Sequence, residues 1–137
     1  MTVCERSDGD EVAQAREELP KGIIVDIDGT FALPVINLLR QISGTPIFVS
    51  GRKEKYRKIT TSQIKAWNHR SAFRTNFRLY MRADDDFRSD VELKREIYEN
   101  YIKDKYDVFC AIDDRKCIVD LWRSLGIFTL DVGGFDR

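Results

Sequence analysis

Short apolar runs alternate along this chain with longer segments in which apolar residues return every three or four positions, beginning at Gly22. The runs predict strands from Gly22 to about Ile27, at Pro46 to Ser50, near Phe77 to Met81, at Val108 to Ile112 and at Ile127 to Val132. The segments between them predict helices near Pro34 to Ile42, from about Thr60 to Phe73, from Asp90 to Lys103 and from Arg115 to Leu125. Ile23-Ile24-Val25 offers no polar position to solvent, as expected of a strand covered on both faces. Strict strand and helix alternation predicts an α/β, Rossmann-like fold, a parallel sheet with right-handed crossovers flanked by helices. Residues 1–20 read as a polar N-terminal arm, with Glu11 to Leu19 able to form a short helix, and 21–137 as one domain.

Composition narrows the setting. A chain of 137 residues suits one domain that buries roughly two-thirds of its unfolded surface. Cys4, Cys110 and Cys117 are too few and too scattered for a disulfide framework or a cysteine zinc site, and His69 is the only histidine. There is no run of eighteen apolar residues and no apolar leader segment, so a soluble, cytoplasmic protein without membrane association is expected. Acids and bases balance at 23 each, but unevenly along the chain. Between Gly51 and Arg82 stand Arg52, Lys53, Lys55, Arg57, Lys58, Lys65, Arg70, Arg74, Arg78 and Arg82 against the single acid Glu54.

Four clusters follow strands or open helices, where residues from distant parts of a chain converge above a parallel sheet. Asp26, Asp28 and Thr30 follow the first strand, and in extended chain a spacing of two turns both carboxylates toward one crevice. Ser50-Gly51-Arg52 combines a hydroxyl, a tight turn and a guanidinium, suited to phosphate oxygens. Asp90 and Lys94 lie one helical turn apart, and Asp113-Asp114-Arg115 follows the fourth strand. Together they supply what phosphoryl transfer needs: a carboxylate nucleophile, a proton donor, ligands for a hard cation such as Mg²⁺, and positive charge for the phosphoryl oxygens.

Each cluster also has a structural reading. Asp90 and Asp114 could serve only as helix N-caps, Lys94 could simply pair with Asp90, and Ser50-Gly51 could be an ordinary strand-ending turn. Asp84-Asp85-Asp86 reads as a solvated loop. Asp26 with Asp28 is hardest to explain structurally, since two carboxylates ending a buried strand cost on the order of several kcal/mol unless paired or metal-bound.

The segment Asp26-Ile27-Asp28-Gly29-Thr30 resembles the first motif of the haloacid dehalogenase superfamily phosphatases, and the other three clusters occur in that family's order. Val35-Ile36-Asn37, Val49-Ser50-Gly51-Arg52, Lys55-Tyr56, Asp90 to Lys94, Ala111-Ile112-Asp113-Asp114-Arg115, Val119 and Leu121 to Gly126 are similar to the 3′-phosphatase domain of phage-type polynucleotide kinase-phosphatases. The resemblance covers roughly Lys21 to Gly134 and implies a capless domain of the haloacid dehalogenase type with sheet order 5-4-1-2-3. It implies Asp26 as nucleophile, Asp28 as acid-base residue, and Mg²⁺ held by the Asp26 carboxylate, the Asp28 main-chain oxygen and one or both of Asp113 and Asp114. Thr30, Ser50, Gly51, Arg52, Asp90, Lys94 and Arg115 would serve the phosphate, Asp90 by orienting Lys94 or Arg115.

The activity so implied is removal of 3′-phosphate from DNA or RNA ends, with a separate kinase or ligase as a possible partner. The family's kinase motif is absent from the chain, so 5′-kinase activity is not expected. Thr30-Phe31-Ala32-Leu33-Pro34 runs almost directly into a helix where the phage enzymes carry an arginine-bearing flap, so an open site is expected. Bases interleaved with Tyr56, Trp67, Phe73, Phe77 and Tyr80 suit a nucleic-acid strand, although aromatics at such spacing are also ordinary core. Two other readings share the residues: a phosphatase for mononucleotides or other small esters, and a non-catalytic phosphate-binding module, for which a nucleophile would be superfluous.

Overall fold

A computed structural model describes residues 18–71 and 76–133. Five strands form one wholly parallel sheet: β1 (Lys21–Val25), β2 (Thr45–Lys53), β3 (Arg78–Arg82), β4 (Asp107–Asp113) and β5 (Thr129–Asp131). Their order is β3-β2-β1-β4-β5, the expected 5-4-1-2-3 read from the other edge. The helices are α1 (Leu33–Gln41), α2 (Arg57–Ser71), α3 (Asp90–Ile97) and α4 (Lys116–Ser124). A 3₁₀ turn, Glu54–Tyr56, leads into α2, and a wide π turn, Tyr98–Ile102, ends α3 earlier than the periodicity suggests. Of the arm's expected helix, 11–17 lie outside the described residues, as do Phe73 and 134–137, while Glu18 and Leu19 form a turn.

The unbroken apolar run of β1 is explained by its central position. Ile24, with Ile47, Val49 and Ala111, packs against Leu93 and Ile97 of α3 and Ile118 and Trp122 of α4. Ile23 and Val25, with Phe48, Cys110 and Ile112, pack on the opposite face against Val35 and Leu39 of α1 and Ile64 of α2. Side chains alternate across a strand, so each second residue joins the same layer. Phe77, expected in the third strand, precedes it and sets its ring edge-on to Phe48 with 5.7 Å between centroids.

That parity decides which side chains meet. Val25 is level with Ile112, and the Asp26 N–H donates to the Ile112 carbonyl at 3.1 Å, so Asp26 and Asp113 leave neighbouring strands side by side. Both have the parity of Ile24 and Ala111, which faces α3. No helix among the described residues is long and apolar enough to cross a membrane.

Candidate active site

Three acids and one lysine converge above the C-terminal ends of β1 and β4. Lys94 reaches down from α3 with its ammonium 2.8 Å from Asp26 Oδ1 and 3.3 Å from Asp113 Oδ2, all three side chains being buried. Asp114 closes the group, and carboxylate oxygens of Asp26, Asp113 and Asp114 all lie within 4.8 Å of one another. The Thr30 hydroxyl, buried, lies 3.2 Å from Asp26 Oδ2 and 3.0 Å from Asp114 Oδ1. Thr30, expected at the phosphate, thus faces the acids themselves.

Two glycines permit this crowding. Gly29 has φ of +78°, and a Cβ there would collide with the Asp114 carboxylate. A Cβ on Gly51 would come within 2.7 Å of Asp90 Oδ1.

The Asp28 carboxylate turns to Arg52 instead of joining the buried acids, while the Lys94 charge, behind the Arg52 hydrogen bond, still lowers its titration. β1 ends at Val25 and a turn begins at Asp28, so the two-residue repeat that would have aligned it with Asp26 is broken. Its side chain is 66% exposed and lies in a two-pronged pair with Arg52, Nε to Oδ2 at 3.0 Å and Nη2 to Oδ1 at 2.6 Å. Arg52 is held in turn by Thr60 Oγ1 at 3.2 Å and Gln63 Oε1 at 2.7 Å, both on α2. Arg52, expected on the phosphate, is therefore engaged with the acid-base candidate. The Asp28 carboxylate is not part of the three-acid group; the ligand expected from it is its main-chain oxygen.

Ser50 is buried, and its Oγ accepts the Arg52 N–H at 3.1 Å, which leaves its own O–H to donate. Asp90 is not the N-cap of α3. Ser89 fills that position by accepting the Glu92 N–H at 3.2 Å, and Asp90 binds Arg82 through one oxygen and Arg115 through the other. Nor does Asp114 cap α4, whose N-cap is Arg115; the Arg115 N–H donates instead to Asp113 Oδ1 at 3.0 Å. Arg82, whose Nε also donates to the Gly51 carbonyl at 3.0 Å, was indistinguishable by sequence from its basic neighbours. Thr60 and Gln63 likewise carry no motif.

Charge and burial shift the titrations in opposite directions. Burial pushes the Asp26 carboxyl up to about 6, with Lys94 opposing and the Asp113 charge adding to the rise. Burial also raises Asp113, against the pull of Lys94. For Lys94 burial acts downward, but the charges of Asp26 and Asp113 outweigh it and hold the ammonium above its usual range. The hydrogen-bonded Arg52 guanidinium lowers Asp28, which stays ionised. Burial acts upward on Asp90, yet its bonds to Arg115 and Arg82 bring it below the usual range.

Lys94 is bonded directly to two of the three clustered carboxylates, and a hard, oxygen-preferring divalent cation matches this all-oxygen donor set.

Comparison with known proteins gives the family of the chain. The family model described as polynucleotide kinase PNKP phosphatase domain matches residues 33–136, starting just after the Asp26 to Thr30 segment. A protein of Autographa californica nuclear polyhedrosis virus, named as a bifunctional polynucleotide kinase/RNA ligase, is 28% identical over 138 residues. The match covers 83% of this chain and 19% of that protein, so the chain spans about a fifth of this relative's length. Among solved structures, a chain of a Pnkp1/Rnl/Hen1 RNA repair complex superposes with a TM-score of 0.70 at 26% identity, covering 99% of this chain and 47% of that one. A chain of a second Pnkp1/Rnl/Hen1 complex gives 0.69 at 29% identity, covering 86% and 48% respectively.

Two measurements test the electrostatics. Asp26 keeps its proton to higher pH folded than unfolded, so its contribution to stability is fully present below its ordinary value of 3.8 and is lost as pH rises through about 6. Mg²⁺ should therefore raise the melting temperature of metal-free protein clearly at pH 7.5 and little at pH 5, and Asp113→Asn should melt higher than wild type without metal while losing the Mg²⁺ gain. No Mg²⁺ effect at either pH would contradict the site. In Arg52→Gln, carbon-detected NMR of metal-free protein should show Asp28 titrating at higher pH than in wild type; an unmoved titration would mean that Arg52 does not hold it.

Proposed function

Because this chain belongs to the family of polynucleotide kinase PNKP phosphatase domains, we propose that it removes phosphate from the 3′ ends of nucleic acid, RNA foremost, through a covalent Asp26 phosphate and with Mg²⁺. The observation that carries this reading is the Asp26 carboxylate, held by Lys94 and Thr30 beside Asp113 and Asp114, at the sheet end where ligands of α/β folds bind. A phosphate-binding module needs positive charge, and three acids around one lysine supply the reverse unless a metal and a nucleophile are wanted. The RNA emphasis comes from the relatives, whose names and titles speak of an RNA ligase and of RNA repair. The 3′ preference comes from the motif resemblance.

In the first step an Asp26 oxygen attacks phosphorus, the ester P–O bond breaks, and the departing 3′ oxygen takes a proton from Asp28. In the second, Asp28 takes a proton from a water that attacks phosphorus; the bond to Asp26 breaks and inorganic phosphate leaves. Lys94 and the Ser50 hydroxyl lie where they can balance charge on the phosphoryl oxygens. Carboxylates of Asp26, Asp113 and Asp114, with the main-chain oxygen of Asp28, would hold the cation, which would supply further charge neutralisation.

Arg52 gives Asp28 two states. Paired, Asp28 is ionised, as the second step requires; phosphate oxygens competing for the guanidinium loosen the pair and raise Asp28 toward the protonated form that the first step requires. Asp90 acts at one remove, fixing Arg82 and Arg115 at the start of the helix that carries Lys94. A protein supplying kinase or ligase activity is the partner this reading implies.

Oligonucleotides carrying a 3′-phosphate, a 5′-phosphate or neither provide the test, each incubated with and without Mg²⁺. Wild type should release phosphate only from the 3′-phosphorylated strand and only with metal. Asp26→Asn should lose at least about a thousandfold in turnover with an unchanged circular dichroism spectrum. Equal release from mononucleotides, release from the 5′ end, or full activity in chelator would overturn the assignment.

A further inference from the structure

The loop from Ala83 to Ser89, between β3 and α3, presents Phe87 to solvent at 81% exposure, the highest among the large exposed apolar side chains of the described residues. The loop follows the edge strand β3 and so leaves the same end of the sheet as the acids after β1 and β4, with β2 between β3 and β1. Hydrogen bonds hold the loop there. Arg82 donates to the carbonyls of Asp86 at 3.3 Å and Arg88 at 2.6 Å, and Asp84 Oδ1 accepts the Lys55 N–H at 2.9 Å, tying this loop to the turn after β2. Arg88 clamps Asp86 with both prongs and also bonds Glu96 on α3. The acids that sequence reasoning left as solvated are thus partly spent on shaping the loop.

Positive charge accompanies the ring. The Lys53 ammonium lies 4.7 Å from the Phe87 ring centroid, and Lys53 directly follows Arg52, the residue that holds Asp28. Close by in sequence, the Lys55 ammonium lies 5.2 Å from the centroid of Tyr56, itself 49% exposed. Exposed rings paired with ammonium groups offer a π-face to a base and a charge to a backbone phosphate, the combination that binds single strands without reading sequence. Two other aromatics of the basic stretch are engaged elsewhere: Phe77 packs on Phe48, and Tyr80 stacks on Tyr101 while packing against the core.

We propose that Phe87 with Lys53 forms the seat on which the base at the phosphorylated terminus stacks, with Tyr56 and Lys55 receiving the strand beyond it. The inference rests on the reading of the substrate as a nucleic-acid end, whose terminal base has an unstacked face to offer. An open site that lacks a flap obtains its grip on the substrate from this platform.

The test uses the full chain and three phosphate esters: a 3′-phosphorylated single strand, the same strand with an abasic terminal nucleotide, and glycerol phosphate, which has no ring. Phe87→Ala should raise KM for the intact strand about tenfold, with kcat and glycerol phosphate hydrolysis as in wild type, and Phe87→Trp should restore the KM. The abasic strand should show the raised KM with wild type and no further rise with Phe87→Ala. An unchanged KM in Phe87→Ala, or a loss shared equally by glycerol phosphate, would overturn the stacking seat while leaving the phosphatase reading intact. Wild type that hydrolyses glycerol phosphate but not the strand would overturn the substrate reading, and the seat with it.

Discussion

Gathering Asp26, Asp113 and Asp114 around a single buried ammonium is the constraint from which the rest of the site follows. Like charges at such range repel strongly in a partly desolvated setting, and burial alone already opposes ionisation of Asp26 and Asp113. Lys94 offsets part of this, and the Thr30 hydroxyl supplies a hydrogen bond. Gly29 removes the Cβ that would strike Asp114, and Gly51 makes room for Asp90, whose two arginines anchor the start of the helix bearing Lys94. A protein that keeps so costly an arrangement keeps it for chemistry.

The large features of the fold were legible in the sequence because they rest on periodicity. A central strand covered on both faces must be apolar where it is covered, as β1 is from Gly22 to Val25; the alternation of runs then points to parallel strands. The four clusters were legible because parallel topology sends every strand end to the same edge; that Asp26 and Asp113 meet there depends on β1 lying beside β4, an order that only the family resemblance implied.

What stayed hidden depends on turns and on pairings between distant residues. Asp28 was expected to follow Asp26 by a two-residue strand repeat, but the strand stops at Val25 and a turn sets its carboxylate on Arg52. Asp90 had the look of a cap, yet Ser89 one residue earlier does the capping and frees Asp90 for two arginines. The surplus of bases between Gly51 and Arg82 is partly internal: Arg52, Arg57 and Arg82 are paired with Asp28, Glu54 and Asp90. Phe87 stood in a charged run without apolar periodicity around it, and an aromatic in such company was the available hint that it serves the surface and not the core.

Manganese bound in crystals of the protein would test the central claim most directly, because its anomalous scattering locates a divalent ion without ambiguity and it accepts the same oxygen ligands as magnesium. The account predicts one strong anomalous peak coordinated by carboxylate oxygens of Asp26 and of Asp113 or Asp114, with the Lys94 ammonium still on Asp26. A cluster without a peak at saturating manganese, or a peak elsewhere on the chain, would contradict it.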